Sequence, residues 1–420
     1  MNIIFVVTDR FISLQVRKPI YLRIFIRELR GIMEELKLVS VSYLLLSTML
    51  LIFGAFLKIR INWIYRCMVV GVAISVAVFG FCLEPGSGLD LYRLQQYAMS
   101  LDFSHGNVIS SILGINNSNV SLAGTSLTGM ISFNFLCYIV RLLGDLHWMS
   151  AISCIVSFGI LLSIIVDYVI SIEGNSKQLF LAVILTFMGL QVSYVMQGIR
   201  NAMAVSFCVL GLYLLFYKKR GGILPYILFF MAVTMHAMVL IVLPIVLISK
   251  IENQKWIRII ALFAMPIIFL LANIFSSVRI GFIQYLSARI LFYTDNSFEY
   301  DRPEMIADVA VFMVIALVFW IFLRQGLISV ENEQERRYYN CYILLGIAMI
   351  SCMQRRDFAL RIGYLMGIGG VPMLFKLLYM REESSFFGRL MAIGIAASIL
   401  VCSSKVAYDM WYVFSRLTFN

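Results

Sequence analysis

An arginine guanidinium carries five N–H donors in a fixed fork, keeps its charge, and grips phosphate through two parallel bonds. A set of arginines in this chain is placed for that chemistry: Arg93, Arg200, Arg279, Arg289, Arg302, Arg355, Arg356 and Arg361. The charge bias of the chain puts all of them on its outer side, where basic residues are disfavoured. As a set they suit an anionic lipid headgroup or a lipid-linked pyrophosphate. Taken singly, each is equally a snorkelling side chain at an interface. Arg200 and Arg361 fall at or just inside the membrane edge, where charge costs less than the roughly 2.5–3.5 kcal/mol of a helix centre.

Two groups are placed to move a proton. Asp90 follows a glycine-rich turn in Gly86-Ser87-Gly88-Leu89-Asp90-Leu91-Tyr92-Arg93. It reads either as a general base for a sugar hydroxyl or as a helix N-cap. Tyr92 and Tyr97 offer rings that could stack on sugars, and equally fit an interfacial aromatic belt. His236 is one of three histidines and the one set deep in an apolar run. It reads as a satisfied core residue or as a cavity group that bonds phosphate or transfers a proton. Asp295, Glu299, Asp301 and Glu304 form an acidic cluster or a solvated loop.

The elements that must hold these groups are apolar runs. Hydrophobic residues make up 61% of the 420 and charged residues 14%, against roughly 25% charged in soluble domains. Candidate spans fall at about 39–57, 63–83, 148–170, 178–196, 199–217, 257–278, 306–323, 338–353, 358–378 and 390–414, each long enough or nearly so to cross about 30 Å of hydrocarbon. Backbone groups in lipid must be satisfied internally, so the runs are expected as helices. The expected fold is an all-α polytopic transmembrane bundle of about 10–12 membrane segments, some of them re-entrant or half helices.

Basic residues set the topology. Lys58, Arg60 and Arg66, then Lys218, Lys219 and Arg220, then Lys250, Lys255 and Arg258, then Arg324, Arg336 and Arg337, then Lys376, Arg381 and Arg389 mark one side as cytoplasmic. To keep Lys218–Arg220 inside, 128–143 must not cross; a re-entrant or surface helix on the outer side is expected. The stretch 223–248 has basic loops at both ends, so two half-helices turning near His236 are expected, with one plain span as the alternative. Two large outer segments remain, 84–147 and 279–305, within an integral-membrane domain over 39–420. Residues 1–38 form a basic segment. Met33 as the true start and an amphipathic surface helix are both open there.

The net charge of +11 sits mainly in short loops, so topology accounts for it and no nucleic acid is expected. The eight cysteines lie almost entirely inside apolar runs without a CxxC pair, so neither a disulfide framework nor a metal is expected. No cofactor is indicated.

The stretch Gln197-Gly198-Ile199-Arg200-Asn201-Ala202-Met203-Ala204, the basic turn Tyr217-Lys218-Lys219-Arg220, and Met235-His236-Ala237-Met238 running on to Pro244 together resemble the EpsG-type, Wzy-like polysaccharide polymerases. Those proteins show G-I-R-x-x-x-A at the start of a span, a basic turn, and an H-x-S-A-L-I-x-x-P-like segment. Arg361-Ile362-Gly363-Tyr364, followed by Pro372, looks like their late R-x-x-x-Y/F span, and Asp90 occupies the place of their D-Y-x-x-Y element. Here that element reads D-L-Y-R-L-Q-Q-Y, and the serine after the histidine is Ala237.

The resemblance implies a glycosyltransferase on the outer face of a bacterial inner membrane. Its donor and acceptor would both be undecaprenyl-pyrophosphate-linked oligosaccharides, and its product O-antigen or a related surface polysaccharide. A chain-length regulator and a flippase would be its candidate protein partners. On this reading Arg200, Arg361, Arg93, Arg289, Arg355 and Arg356, with Tyr92 and Tyr97, hold pyrophosphate and sugar, while Asp90 or His236 activates the acceptor. An O-antigen ligase and a lipid-linked sugar flippase are the alternatives; flippases tend to show a repeat between halves, and none is visible.

Overall fold

In the computed structural model the described residues are mainly 63–84, 90–104, 107–114, 130–171, 173–189, 192–218, 222–249, 263–277 and 333–351, with isolated positions such as Tyr43 and Arg361. They are nearly all helical. A two-residue antiparallel pairing, β1 (Ser121–Leu122) with β2 (Thr125–Ser126), is the exception among them. The spans expected at 306–323 and 390–414, the outer segment 279–305 and the basic segment 1–38 lie outside the described residues apart from Ser287 and Leu291, and of 39–57 and 358–378 only scattered positions are described.

Glycine fixes two helix ends before the bundle. Helix α1 (Trp63–Phe81) leads to α2 (Asp90–Ser100) and α3 (Val108–Leu113), which stops at Gly114 with φ 76°. Helix α4 (Ile131–Leu143) stops at Gly144 with φ 72°, the left-handed cap that a residue without Cβ adopts most easily. At 13 residues and 1.5 Å per residue it reaches about 20 Å, too short to cross a bilayer. Among its described residues, the segment 84–147 holds short helices and the β1–β2 pairing.

Two helices are long and apolar enough to cross a membrane among the described residues: α5 (Trp148–Ser171) and the run Ile199–Tyr217. The latter is α8 (Ile199–Leu212) continued by a π-helical turn over Tyr213–Tyr217. The stretch expected as a span over 178–196 holds α6 (Ser176–Gly189) and α7 (Val192–Gln197), with residues 190 and 191 outside the described set. Helices α11 (Ala264–Ser276) and α12 (Glu333–Ser351) fall within or across the spans expected at 257–278 and 338–353.

Small residues set the helix spacing. A Cβ on Gly80 of α1 would lie 3.0 Å from Cys154 Sγ and 3.1 Å from the Ser150 carbonyl oxygen, so α1 and α5 approach backbone to backbone. Gly211 does the same for α8 against α9 (Leu224–Met235), where Phe229 and the Pro225 carbonyl lie 3.1 and 3.3 Å from the missing Cβ. Buried serines bond across helices without a large side chain: Ser153 Oγ donates to the Val195 carbonyl at 2.8 Å.

These contacts give the bundle two ends. At one, Phe81 meets Trp148 edge to face with centroids 5.0 Å apart, and the start of α8 lies near. At the other, Ser171 Oγ meets Tyr217 Oη at 3.0 Å. Outward faces carry apolar side chains, among them Ile74 (53% exposed), Phe135 (51%), Phe230 (56%) and Leu270 (60%). Such a surface suits an apolar surround better than water.

Candidate functional site

The chain from Leu224 to Ile248 is a broken helix. Pro225 starts α9 where its missing N–H costs nothing. Pro244 lies ahead in α10 (Val242–Ile248), and a continuous helix would lack one bond there and crowd the preceding turn. The chain breaks in between, at His236, whose φ of −152° and ψ of 116° are extended. A 3₁₀ turn over Ala237–Ile241 follows. At the end of α10 the Ser249 hydroxyl donates to the Val246 carbonyl at 2.8 Å. The break falls near His236, where the sequence leaves open either two half-helices or one plain span.

The break places His236 at 6% exposure. The register that sets Gly211 against Pro225 and Phe229 also brings His236 about level with the first turn of α8, since antiparallel helices advance by equal rises. That turn carries Arg200. His236 Nε2 faces Arg361 Nη1 at 2.9 Å, and its Nδ1 faces the Met238 backbone N–H at 3.2 Å. Residues 125 positions apart in sequence thus meet at one broken turn.

The N-terminal end of α4 meets both Arg200 and the turn before His236. Arg200 sits with its Cζ 5.4 Å from the centroid of Phe133 and its Nη1 against Met130 Sδ at 3.5 Å. A guanidinium over an aromatic face gains about 0.5–2 kcal/mol, more as water is excluded. One residue before Phe133, Ser132 Oγ meets Thr234 Oγ1 at 2.7 Å, just before the break at His236. The expected re-entrant helix 128–143 therefore reaches both Arg200 and the His236 turn.

Tyr97 supports this arrangement from behind. The sequence offered its ring to a sugar; the structure turns it inward, at 3% exposure. It stacks on Phe133 with centroids 5.8 Å apart, and its hydroxyl donates to Asn134 Oδ1 at 3.0 Å. The reason is helical spacing: Leu91, Leu94 and Ala98 are the buried stripe of α2, and Tyr97 lies on it. Asn134 in turn donates to the Ile112 carbonyl at 3.2 Å.

Asp90, Tyr92 and Arg93 sit on the exposed side of the first turn of α2. Asp90 begins the helix, where a carboxylate favours the dipole. Among the described residues no hydrogen bond or ion pair joins these three to the His236–Arg361 pair. Arg289, Arg355 and Arg356 lie outside the described residues, as do Arg279 and Arg302.

Sequence reasoning assigned no site role to Asn134, Ser132, Thr234 or Asn201. Asn201 is 7% exposed and donates its amide to the Tyr194 hydroxyl. Its Oδ1 has no hydrogen-bond partner among the described residues. Its place beside Arg200 was the signal available. Among the described residues no three of His, Cys, Asp and Glu are grouped to hold a metal ion.

The opposite end of the bundle has its own polar cluster. Lys218 Nζ lies 2.8 Å from Asp167 Oδ2, and Tyr213 Oη donates to the same oxygen at 2.7 Å. Tyr213 stacks on Tyr217 with centroids 5.0 Å apart. On α12, Tyr339 donates to Glu335, which is 5% exposed.

A family model described as the EpsG family matches residues 115–415. The match spans Arg200, His236 and Arg361 and begins after Asp90 and Tyr97. No curated protein and no solved structure gives a match.

Proposed function

Because this chain belongs to the EpsG family, we propose that it is a multi-pass glycosyltransferase of the bacterial inner membrane. It joins undecaprenyl-pyrophosphate-linked oligosaccharide repeat units into O-antigen or a related surface polysaccharide on the periplasmic face. The observation that carries the reading is the His236–Arg361 contact at 2.9 Å, built at a helix break beside the turn that bears Arg200. Broken helices at membrane depth are tolerated where they line a cavity. Paired guanidinium forks suit a pyrophosphate diester.

The chemistry follows from the donor. A hydroxyl oxygen of the acceptor's non-reducing sugar attacks the anomeric carbon of the donor. The bond from that carbon to the pyrophosphate oxygen breaks, and the electron pair leaves on the pyrophosphate. Arg200 and Arg361 stabilise the charge that develops there, in a site with little water to screen it. The hydroxyl proton passes to a base, for which Asp90 and His236 are the candidates. Arg93, Arg289, Arg355, Arg356 and Tyr92 are proposed to line the path of the sugar and the second carrier. A chain-length regulator and a flippase are the protein partners this reading implies.

The test is a gel ladder of surface polysaccharide from a strain lacking the gene, restored with wild type or with Arg200→Ala. A ladder collapsed to core plus one repeat unit, rebuilt by wild type and not by the variant, is the expected result. Carrier-linked polymer with no repeat unit on core would identify a ligase instead.

A further inference from the structure

Two asparagines are buried near the site, and their amides are used differently. Asn134 of α4 uses both arms: its Oδ1 accepts from Tyr97 at 3.0 Å, and its Nδ2 donates to the Ser111 and Ile112 carbonyls at 3.3 and 3.2 Å. Asn201, in the first turn of α8, uses one. Its Nδ2 donates to the Tyr194 hydroxyl, and its Oδ1 meets no donor among the described residues. A buried carbonyl left without a donor costs stability, so a purely structural amide is expected to have both arms engaged. Gly198 lets Tyr194 close on the start of α8: a Cβ there would lie 3.0 Å from the Tyr194 carbonyl oxygen and 3.1 Å from its ring. The bond to Tyr194 thus holds the amide and leaves its oxygen unused.

Position says what would satisfy that oxygen. Asn201 follows Arg200, with the two Cα atoms about 3.8 Å apart. Gly198 brings no side-chain cap to the helix, and a helix start of this kind favours an anion. The anion itself cannot serve Oδ1, because a pyrophosphate diester carries acceptors only. Gln197, Gly198 and Arg200 are half-buried, so the amide lies one layer beneath a surface that a ligand can reach. Adjacent residues therefore ask for an anion and for a hydrogen-bond donor. A sugar joined to pyrophosphate offers both.

We propose that Asn201 recognises the first sugar of the lipid-linked donor, an inference that rests on the reading of Arg200 as a pyrophosphate ligand. Its Oδ1 accepts from a hydroxyl or an amide N–H on the carbon next to the anomeric carbon, the nearest donor that such a substrate presents to a residue beside its phosphate. The bond from Nδ2 to Tyr194 stays in place and keeps the oxygen aimed. As the anomeric carbon loses the pyrophosphate it gains positive charge, the neighbouring donor becomes more acidic, and its bond to Asn201 strengthens. Asn201 is then a binding residue for the reacting sugar, and it selects donors whose first sugar carries a hydrogen-bond donor at that carbon.

The deciding measurement is kinetic, on protein in lipid nanodiscs. The substrate is the lipid-linked repeat unit extracted from a strain lacking the gene, and undecaprenyl pyrophosphate, which has no sugar, is the inhibitor. Asn201→Leu is expected to lower kcat/KM about tenfold or more and to leave the Ki of undecaprenyl pyrophosphate within about twofold of wild type. An unchanged kcat/KM means that Oδ1 meets only water, and a Ki raised as much as kcat/KM falls means that the change acts through packing; either overturns the proposal. Arg200→Ala tests the earlier reading separately, since it is expected to raise the Ki. A Ki unmoved by Arg200→Ala removes the pyrophosphate site, whatever Asn201 does.

Two further variants guard against an Asn201→Leu protein that fails to fold. Tyr194→Phe removes the partner of Nδ2 and keeps the oxygen, and is expected to stay within about threefold of wild type in both constants. Asn201→Asp keeps an acceptor at the same place. Its added charge weakens both lipids alike, so the preference for the sugar-bearing lipid over undecaprenyl pyrophosphate is expected to hold. A preference lost in Asn201→Asp, or lost in Tyr194→Phe as fully as in Asn201→Leu, overturns the proposal.

Discussion

The two ends of the bundle solve the problem of partly buried cations in different ways. At one end, Lys218 sits 2.8 Å from the Asp167 carboxylate, and Tyr213 bonds the same oxygen. That contact cancels charge. At the other end, Arg200 rests on the Phe133 face and the Met130 thioether, and Arg361 on the His236 imidazole. Those contacts help fix where the guanidinium groups lie. The first arrangement belongs to a joint between α5, α8 and α12, and the second to the site proposed above to hold pyrophosphate.

The comparison breaks most sharply on the arginines. Arg361→Ala and Arg200→Ala are expected to lower polymer formation by about 100-fold or more, the scale seen when a charge-stabilising donor is removed. Arg361→Lys is expected to recover little, because an ammonium lacks the fork. Polymer per folded protein, measured on gels against membrane-inserted amount, checks both. Lys218→Met is expected to leave polymer formation nearly unchanged; a loss as large as that of Arg361→Ala would erase the distinction between the ends.

Packing between the ends comes next. Gly211→Leu would drive a side chain into Phe229 and the Pro225 carbonyl, at a cost of about 1–3 kcal/mol. It would also shift the register that levels His236 with Arg200. Thermal unfolding in detergent should show a lowered midpoint together with lost polymer. A lowered midpoint with full activity would mean that the α8–α9 register does not set the site.

The joint itself is expected to be worth less. Tyr213→Phe removes one hydrogen bond to Asp167, about 1 kcal/mol. Lys218→Met removes a pair whose side chains are 30% and 46% exposed, worth less than about 1 kcal/mol. Both are read by thermal unfolding, with ladders intact.

The smallest effect is one of pH. Asp102 accepts from the Ser104 backbone N–H and from the Ser104 and Asn107 side chains, and these bonds hold its carboxyl below the ordinary value. Its contribution to the loop is present above the unfolded value of about 3.9 and fades as the pH falls through the lower folded value. Hydrogen exchange of the amides over 107–114 should accelerate there in wild type and already at neutral pH in Asp102→Asn, with polymer formation unaltered.

Much of the site was legible as residue types. Arg200, Arg361 and His236 stood out because charge and imidazole are costly in apolar runs, and the basic loops at both ends of 223–248 pointed to a turn near His236. Asp90 was legible as a helix start, and it begins α2. Tyr97 was misread, because the 3.6-residue period that buries Leu94 and Ala98 also buries it, and an aromatic count does not register which side a ring takes. Ser132 and Thr234 carried no signal, and Asn134 none for the site: single polar residues in apolar helices gain meaning only from the partner opposite.

The sequence by itself determined that apolar runs dominate and that the chain resembles the EpsG family, which the family match shows; it offered a turn near His236 beside the alternative of one plain span. Those follow from local composition and spacing, which need no partner. Only the tertiary structure decided that Arg361 lands on His236 and that α4 bridges Arg200 to the helix break. Contacts across 125 and 70 residues depend on how helices pack, and packing is set by glycines such as Gly80 and Gly211 acting between helices, where no short window of sequence can see both sides.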